Sequence, residues 1–168
     1  MKSKFVQYYV EGENEGKLVN VLKTDLKAIR PGKVQKLNVV TQEITDARLM
    51  TLRSGTMVVL VFDTDAGNIN ILNRNLAVLE GCPAVSELVT IPQVLNLEQE
   101  LVRSCCIKKA EELLDSRSKK DFKADFIRVS NLANKLKEHQ FDINRLWCGT
   151  PPAPYQSIEN QSKKIKLS

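Results

Sequence analysis

The chain reads as an α/β protein built on a parallel sheet flanked by helices, with additional helices toward the C-terminus. Three observations predict this. Short β-branched runs alternate with helix-period segments through the first half of the sequence. The run Thr56 to Phe62 is apolar almost without interruption, as in a strand covered on both faces. Turn residues close the segments: Pro31-Gly32, Arg53-Ser54-Gly55, and Gly81 with Pro83. Strands that alternate with helices in this way favour a parallel sheet.

Phe5 to Val10 is rich in aromatic and β-branched residues and forms the first expected strand. Asn14 can cap the helix after it. In that helix Val19, Leu22, Leu26 and Ile29 recur at helical spacing, until Pro31-Gly32 stops it. Lys36 to Val40 reads as a short second strand. Thr41 to Leu52 is expected to hold a helix with Ile44, Ala47 and Met50 inward. After the third strand, Thr56 to Phe62, Asn68 is a cap, and Ile69, Leu72, Leu76 and Leu79 trace a helix face ended by Gly81. Ala84 to Ile91 is the fourth strand. The result is a Rossmann-like order of strands and helices.

Beyond it, Leu97 to Ser104 and Ile107 to Asp115 read as short helices. Ser118 and Asp121 fit a capping pair. Phe122, Phe126, Val129, Ala133 and Leu136 then mark the apolar stripe of one long amphipathic helix. Trp147 reads as a packing anchor. The segment from Gly149, with Pro151, Pro152 and Pro154 and a lysine-rich end, reads as a loosely held arm. The expected organisation is one domain over 1–148, with its core at about 5–92 and a helical extension at about 93–148, and a flexible basic tail over 149–168.

Composition narrows the function classes. The 168 residues suffice for one domain with a core, and the apolar and charged fractions, 42% and 27%, are ordinary for a globular protein. No apolar run approaches the roughly 18 residues of a membrane span, and the stretch after the basic N-terminus is too short and polar for a signal-peptide core. A cytoplasmic protein without a membrane partner is expected. The four cysteines form no CxxC pair, and His139 is the only histidine. This argues against structural zinc and against Ser-His-Asp or Cys-His catalysis. The net charge is +5, with basic residues gathered after Arg117, which is compatible with a nucleic-acid partner.

Two acidic motifs carry the chemistry. Tyr8-Tyr9-Val10-Glu11-Gly12-Glu13-Asn14-Glu15 follows the first strand, and Phe62-Asp63-Thr64-Asp65-Ala66-Gly67-Asn68 ends the third. Ligands of parallel sheets bind at the carboxyl ends of the strands. Carboxylates gathered there repel one another unless a cation sits among them. A few carboxylates with several waters suit Mg²⁺, or Mn²⁺, and Mg²⁺ commonly handles phosphates. Glu11, Asp63 and Asp65 are the leading ligand candidates. Glu15 falls in the first helical turn, where it reaches the metal or simply complements the helix dipole. Glu98 and Glu100 are further candidates in a segment that otherwise reads as a capped helix start.

The two motifs resemble the signature of Toprim domains: a glutamate in a Val-Glu-Gly turn after the first strand, here Glu11, and an Asp-x-Asp after the third, here Asp63 and Asp65. Glu15, four residues after Glu11, resembles the form found in OLD-family nucleases, and the part after residue 92 resembles small RloB-like Toprim proteins of bacterial defence loci. The resemblance covers about residues 5–92 and implies a Toprim-type fold and metal-dependent phosphoryl chemistry. For a stand-alone domain it implies a nuclease acting on DNA or RNA, plausible in anti-phage defence, with Glu11 as general base. A lysine would neutralise transition-state charge, and Lys120 and Lys123 are the candidates. Lys119, Lys120, Lys123 and Arg128 would contact nucleic acid. OLD-type nucleases carry an ATPase domain; this sequence has no GxxxxGK[ST] loop, so ATP control would require a separate ATPase protein. Two other readings remain at this point: a receiver-like phosphoacceptor domain, and a non-catalytic metal- or nucleotide-binding subunit. Substrate type, metal count and oligomeric state are not set by the sequence.

Overall fold

A computed structural model describes residues 3–167. Four strands, β1 (Phe5–Val10), β2 (Lys33–Lys36), β3 (Thr56–Asp63) and β4 (Val85–Gln93), form one parallel sheet in the order β2-β1-β3-β4. The α-helices are α1 (Glu13–Asn20), α2 (Asp46–Met50), α3 (Asn70–Glu80), α4 (Leu97–Ser104), α5 (Lys119–Arg128) and α6 (Leu132–Glu138). This is the expected α/β arrangement, a parallel sheet flanked by helices.

Alternation along the strands divides the core into two layers. Tyr8, Val10, Val59, Val61, Val89 and Ile91 face α1 and the C-terminal helices. Tyr9, Val58, Leu60 and Phe62 face α3 and the segment around Ile44. Both faces of β3 are therefore dry, which is why its sequence shows no polar alternation. Asn75 pins the second layer from within. Its amide donates to the carbonyls of Val39 and Gln42 at 2.8 Å, and its oxygen accepts from the Ile44 N–H at 2.8 Å.

Several elements differ from the sequence reading. The first helix starts at Glu13, with Gly12 as the capping residue rather than Asn14. It widens into a π-turn over Val21–Asp25 and ends there; Lys27, at φ 51°, turns the chain well before Pro31. The second strand is Lys33–Lys36, not Lys36 to Val40. It pairs with β1 through Tyr8↔Val34 and Val10↔Lys36, while Leu37, Val39 and Val40 leave the sheet and bury on its second face. An edge strand half open to solvent carries polar residues, so the apolar signal sat beside it. The helix expected over Thr41 to Leu52 shrinks to Asp46–Met50, capped by Thr45, and Ala47 and Met50 point outward while Ile44 is buried.

The long basic helix is two. Val129 is extended at ψ 132°, and α6 restarts at Leu132. Lys17 reaches across from α1 and donates to the Ile127 and Val129 carbonyls that end α5. The segment between α4 and α5 keeps only a short 3₁₀ turn at Ala110–Leu113.

The expectation of a loose tail over 149–168 does not hold for the described residues. Tyr155 and Ile158 bury in the second layer, and Ile165 buries in the first. Between them the chain rounds the β4 edge, where the Gln161 N–H donates to the Thr90 carbonyl at 2.8 Å. Lys166 then bridges Ile29 on the far side. Burying three large side chains outweighs the disorder that prolines and lysines suggest.

Candidate metal centre

The order β2-β1-β3-β4 makes β1 and β3 neighbours, and the chain reverses its direction of winding between them. Their carboxyl ends flank the crevice where ligands of parallel sheets bind. In register, Val10 lies beside Val61, so Glu11 and Asp63 leave adjacent strands side by side. Glu15, one turn into α1, returns over the same spot. One carboxylate oxygen each from Glu11, Glu15 and Asp63 lies within 4.8 Å of the others. An all-oxygen, acidic donor set at that spacing can hold a metal ion. Asp65 is exposed and stands outside this group.

Each acid is held differently. Glu11 accepts from the Asp63 backbone N–H at 2.8 Å and from Asn38 Nδ2 at 3.1 Å. Asp63 Oδ1 accepts from Gln93 Nε2 at 2.8 Å, leaving the other oxygen to the cluster. The Gln93 amide is oriented in turn: its oxygen accepts from the Trp147 indole at 3.1 Å. Trp147 sits at φ 55°, a conformation bulky side chains avoid, and is anchored at several atoms. Its N–H donates to Glu100 at 3.0 Å, and its carbonyl accepts from Asn160 and Ser162 at 2.7 and 2.8 Å.

Electrostatics show the strain of the arrangement without a cation. Burial pushes the Asp63 carboxyl up to about 9, with Glu11 and Glu15 adding repulsion and the Gln93 hydrogen bond opposing. Burial likewise raises Glu15, with further repulsion from Glu11 and Glu98. Three ionised carboxylates at this spacing are unstable together unless a positive charge joins them. Glycine at position 12 protects the geometry, since a Cβ there would stand 3.2 Å from Glu15 Oε2.

The remaining candidates separate. Glu100 is not a ligand: it is fully buried and bonds Arg103 at 2.7 Å, the Val94 N–H at 2.8 Å and the Trp147 N–H. Glu98 lies close enough to act on Glu15 and pairs with Lys123 at 3.9 Å. Lys123 is thus the one expected lysine tied to the rim of the cluster. Lys119, Lys120 and Arg128 are exposed and form no ion pair among the described residues. A groove of about 620 Å³ starts at Gly12 and runs along α1 between Lys17 and Lys36.

Sequence reasoning missed Asn38, Gln93 and Tyr155. Gln93 ends β4, and that strand-end position was its available signal. Asn38 was hidden inside a misplaced strand. Tyr155 belonged to the supposed loose tail; burial raises the pKa of its hydroxyl, the charges of Asp65, Glu11 and Asp63 add to the shift, and the Ala66 backbone opposes it. Comparison with protein-family models, curated proteins and solved structures gives no match.

Proposed function

We propose that the protein is a Mg²⁺- or Mn²⁺-dependent nuclease that hydrolyses phosphodiester bonds in DNA or RNA. The observation that carries this reading is the meeting of Glu11, Glu15 and Asp63 at the carboxyl ends of β1 and β3. A bound divalent ion would supply charge neutralisation at the scissile phosphate and a more acidic water. Asp63, held by Gln93, presents one free oxygen to the ion. Glu11 has both oxygens engaged and is suited to fixed ligation. Glu15, buried and with a raised pKa, is suited to accept a proton from the attacking water, a role the sequence motif had suggested for Glu11. Lys123 would meet the phosphate once Glu98 releases it. The groove beside Gly12 gives a strand a path to the centre. Likeness to Toprim nucleases adds the expectations of a Toprim-type fold, of a role in anti-phage defence and of a separate ATPase partner.

The receiver-like alternative needs a lysine after a fifth strand, and the sheet has four strands among the described residues. The test is incubation with plasmid, single-stranded DNA and tRNA in Mg²⁺ or Mn²⁺ against EDTA. Cleavage that disappears in Asp63→Asn is expected. Metal binding without cleavage of any of the three substrates overturns the nuclease reading in favour of a non-catalytic subunit.

A further inference from the structure

A second cavity, of about 540 Å³, opens at the opposite end of the sheet. It lies where β1, β2 and β3 begin, closed on one side by the turn that follows α2. Its walls include Lys4, Phe5, Gly32, Lys33, Leu52 and Arg53. No carboxylate lines it. Its three cations belong to none of the ion pairs among the described residues. A cavity lined by cations and by no acid favours an anion.

The cavity also offers a flat surface. Phe5 is 38% exposed, although the five residues after it in β1 are buried. The Arg53 guanidinium lies over its ring, 5.1 Å from the centroid. A planar guanidinium held over an aromatic ring can itself stack an aromatic heterocycle on its outer side, with the exposed edge of Phe5 adjoining. Lys4 and Lys33 supply point charges beside it, and the volume falls within the range of small-ligand sites. We propose that this cavity binds a nucleoside phosphate, its ring stacked at Phe5 and Arg53 and its phosphate between Lys4 and Lys33. The cavity holds one nucleotide rather than a length of polymer. It is separated from the acidic centre by the length of β1, about 20 Å, so it stands independently of the nuclease reading.

The test is calorimetric titration of the full chain in EDTA, which silences the acidic centre. The ligands are purine and pyrimidine nucleoside mono- and triphosphates, the matching nucleosides, pyrophosphate and a short 5′-phosphorylated oligonucleotide. Binding of at least one nucleotide is expected, with its nucleoside and pyrophosphate each weaker by roughly tenfold or more. Lys33→Gln and Arg53→Gln should each weaken the nucleotide roughly tenfold. Phe5→Leu should weaken the nucleotide but leave pyrophosphate unchanged. All three side chains are at the surface, and unchanged melting temperatures confirm intact folding. Asp63→Asn should bind the nucleotide as the parent does. The proposal is overturned by no nucleotide binding at millimolar concentration, by equal affinity for pyrophosphate, by binding of the oligonucleotide alone, or by loss of binding in Asp63→Asn with retention in Arg53→Gln.

Discussion

Replacing Asp63 by asparagine should stabilise the metal-free protein while abolishing metal binding. The aspartate carboxyl is pushed up to about 9 by burial and by Glu11 and Glu15, so at neutral pH the folded protein holds a proton there that the unfolded chain has released. Holding it costs at most about 4 kcal/mol at pH 7. Because the site meets solvent and its neighbours share the repulsion, about 2 kcal/mol is the working figure. Asparagine keeps the oxygen that accepts from Gln93 and the backbone N–H that donates to Glu11, and it carries no charge. For a domain of this size the melting temperature should rise by about 4–8 °C in EDTA. The sign of the pH dependence follows. Between pH about 4 and 9 the folded state binds the extra proton, so the contribution of Asp63 to the stability of the parent falls as pH rises through that window. The variant should lose this part of the slope and keep the part that Glu15, raised mainly by burial, contributes. The assay is thermal melting in EDTA from pH 4 to 9, repeated with Mg²⁺ or Mn²⁺. A variant that melts below the parent at pH 7 with the slope intact would refute the account of three acids crowded without a cation.

Other expectations concern the surroundings of the cluster. Gly12→Ala places a methyl group 3.2 Å from Glu15 Oε2; metal affinity by calorimetry should fall roughly tenfold, with melting shifted by no more than a few degrees, since Gly12 is in an extended conformation open to alanine. Trp147→Phe removes the indole donor that orients Gln93; a loss of about 1–2 kcal/mol in urea unfolding and weaker metal binding should appear together, and metal titration of the parent should change the fluorescence of its single tryptophan. Glu100→Ala takes one of Arg103's two acceptors and leaves the Val94 and Trp147 N–H groups without theirs; unfolding should be easier by about 3–5 kcal/mol, and metal affinity of the folded fraction should fall as well, because Trp147, which orients Gln93, loses an anchor. Removal of residues 150–168 strips Tyr155, Ile158 and Ile165 from the two core layers; several kcal/mol should be lost, and a truncated chain that melts with the parent would show that the tail does not pack as described.

The sequence by itself determined what depends on local spacing and on dry runs. β1 and β3, the capped starts of α4 and α5, and the Gly81 end of α3 were legible because periodicity and capping chemistry act within a few residues; the start of α3 was not, since Ile69 rather than Asn68 holds the cap position. Glu11 and Asp63 were legible for the same reason: each stands where an apolar run stops. What required the tertiary structure was every feature set by a partner distant in the chain. The β2 register depends on the free edge of β1, and the split between α5 and α6 accompanies the packing of Lys17 against the carbonyls that end α5. Burial of the tail depends on surfaces left open by β4 and Ile29. Only folding decided that Glu15 joins the cluster while Asp65 stays in solvent. One turn of helix aims the first side chain back over the strand ends, whereas Asp65 stands past the end of β3, where alternation no longer sets direction.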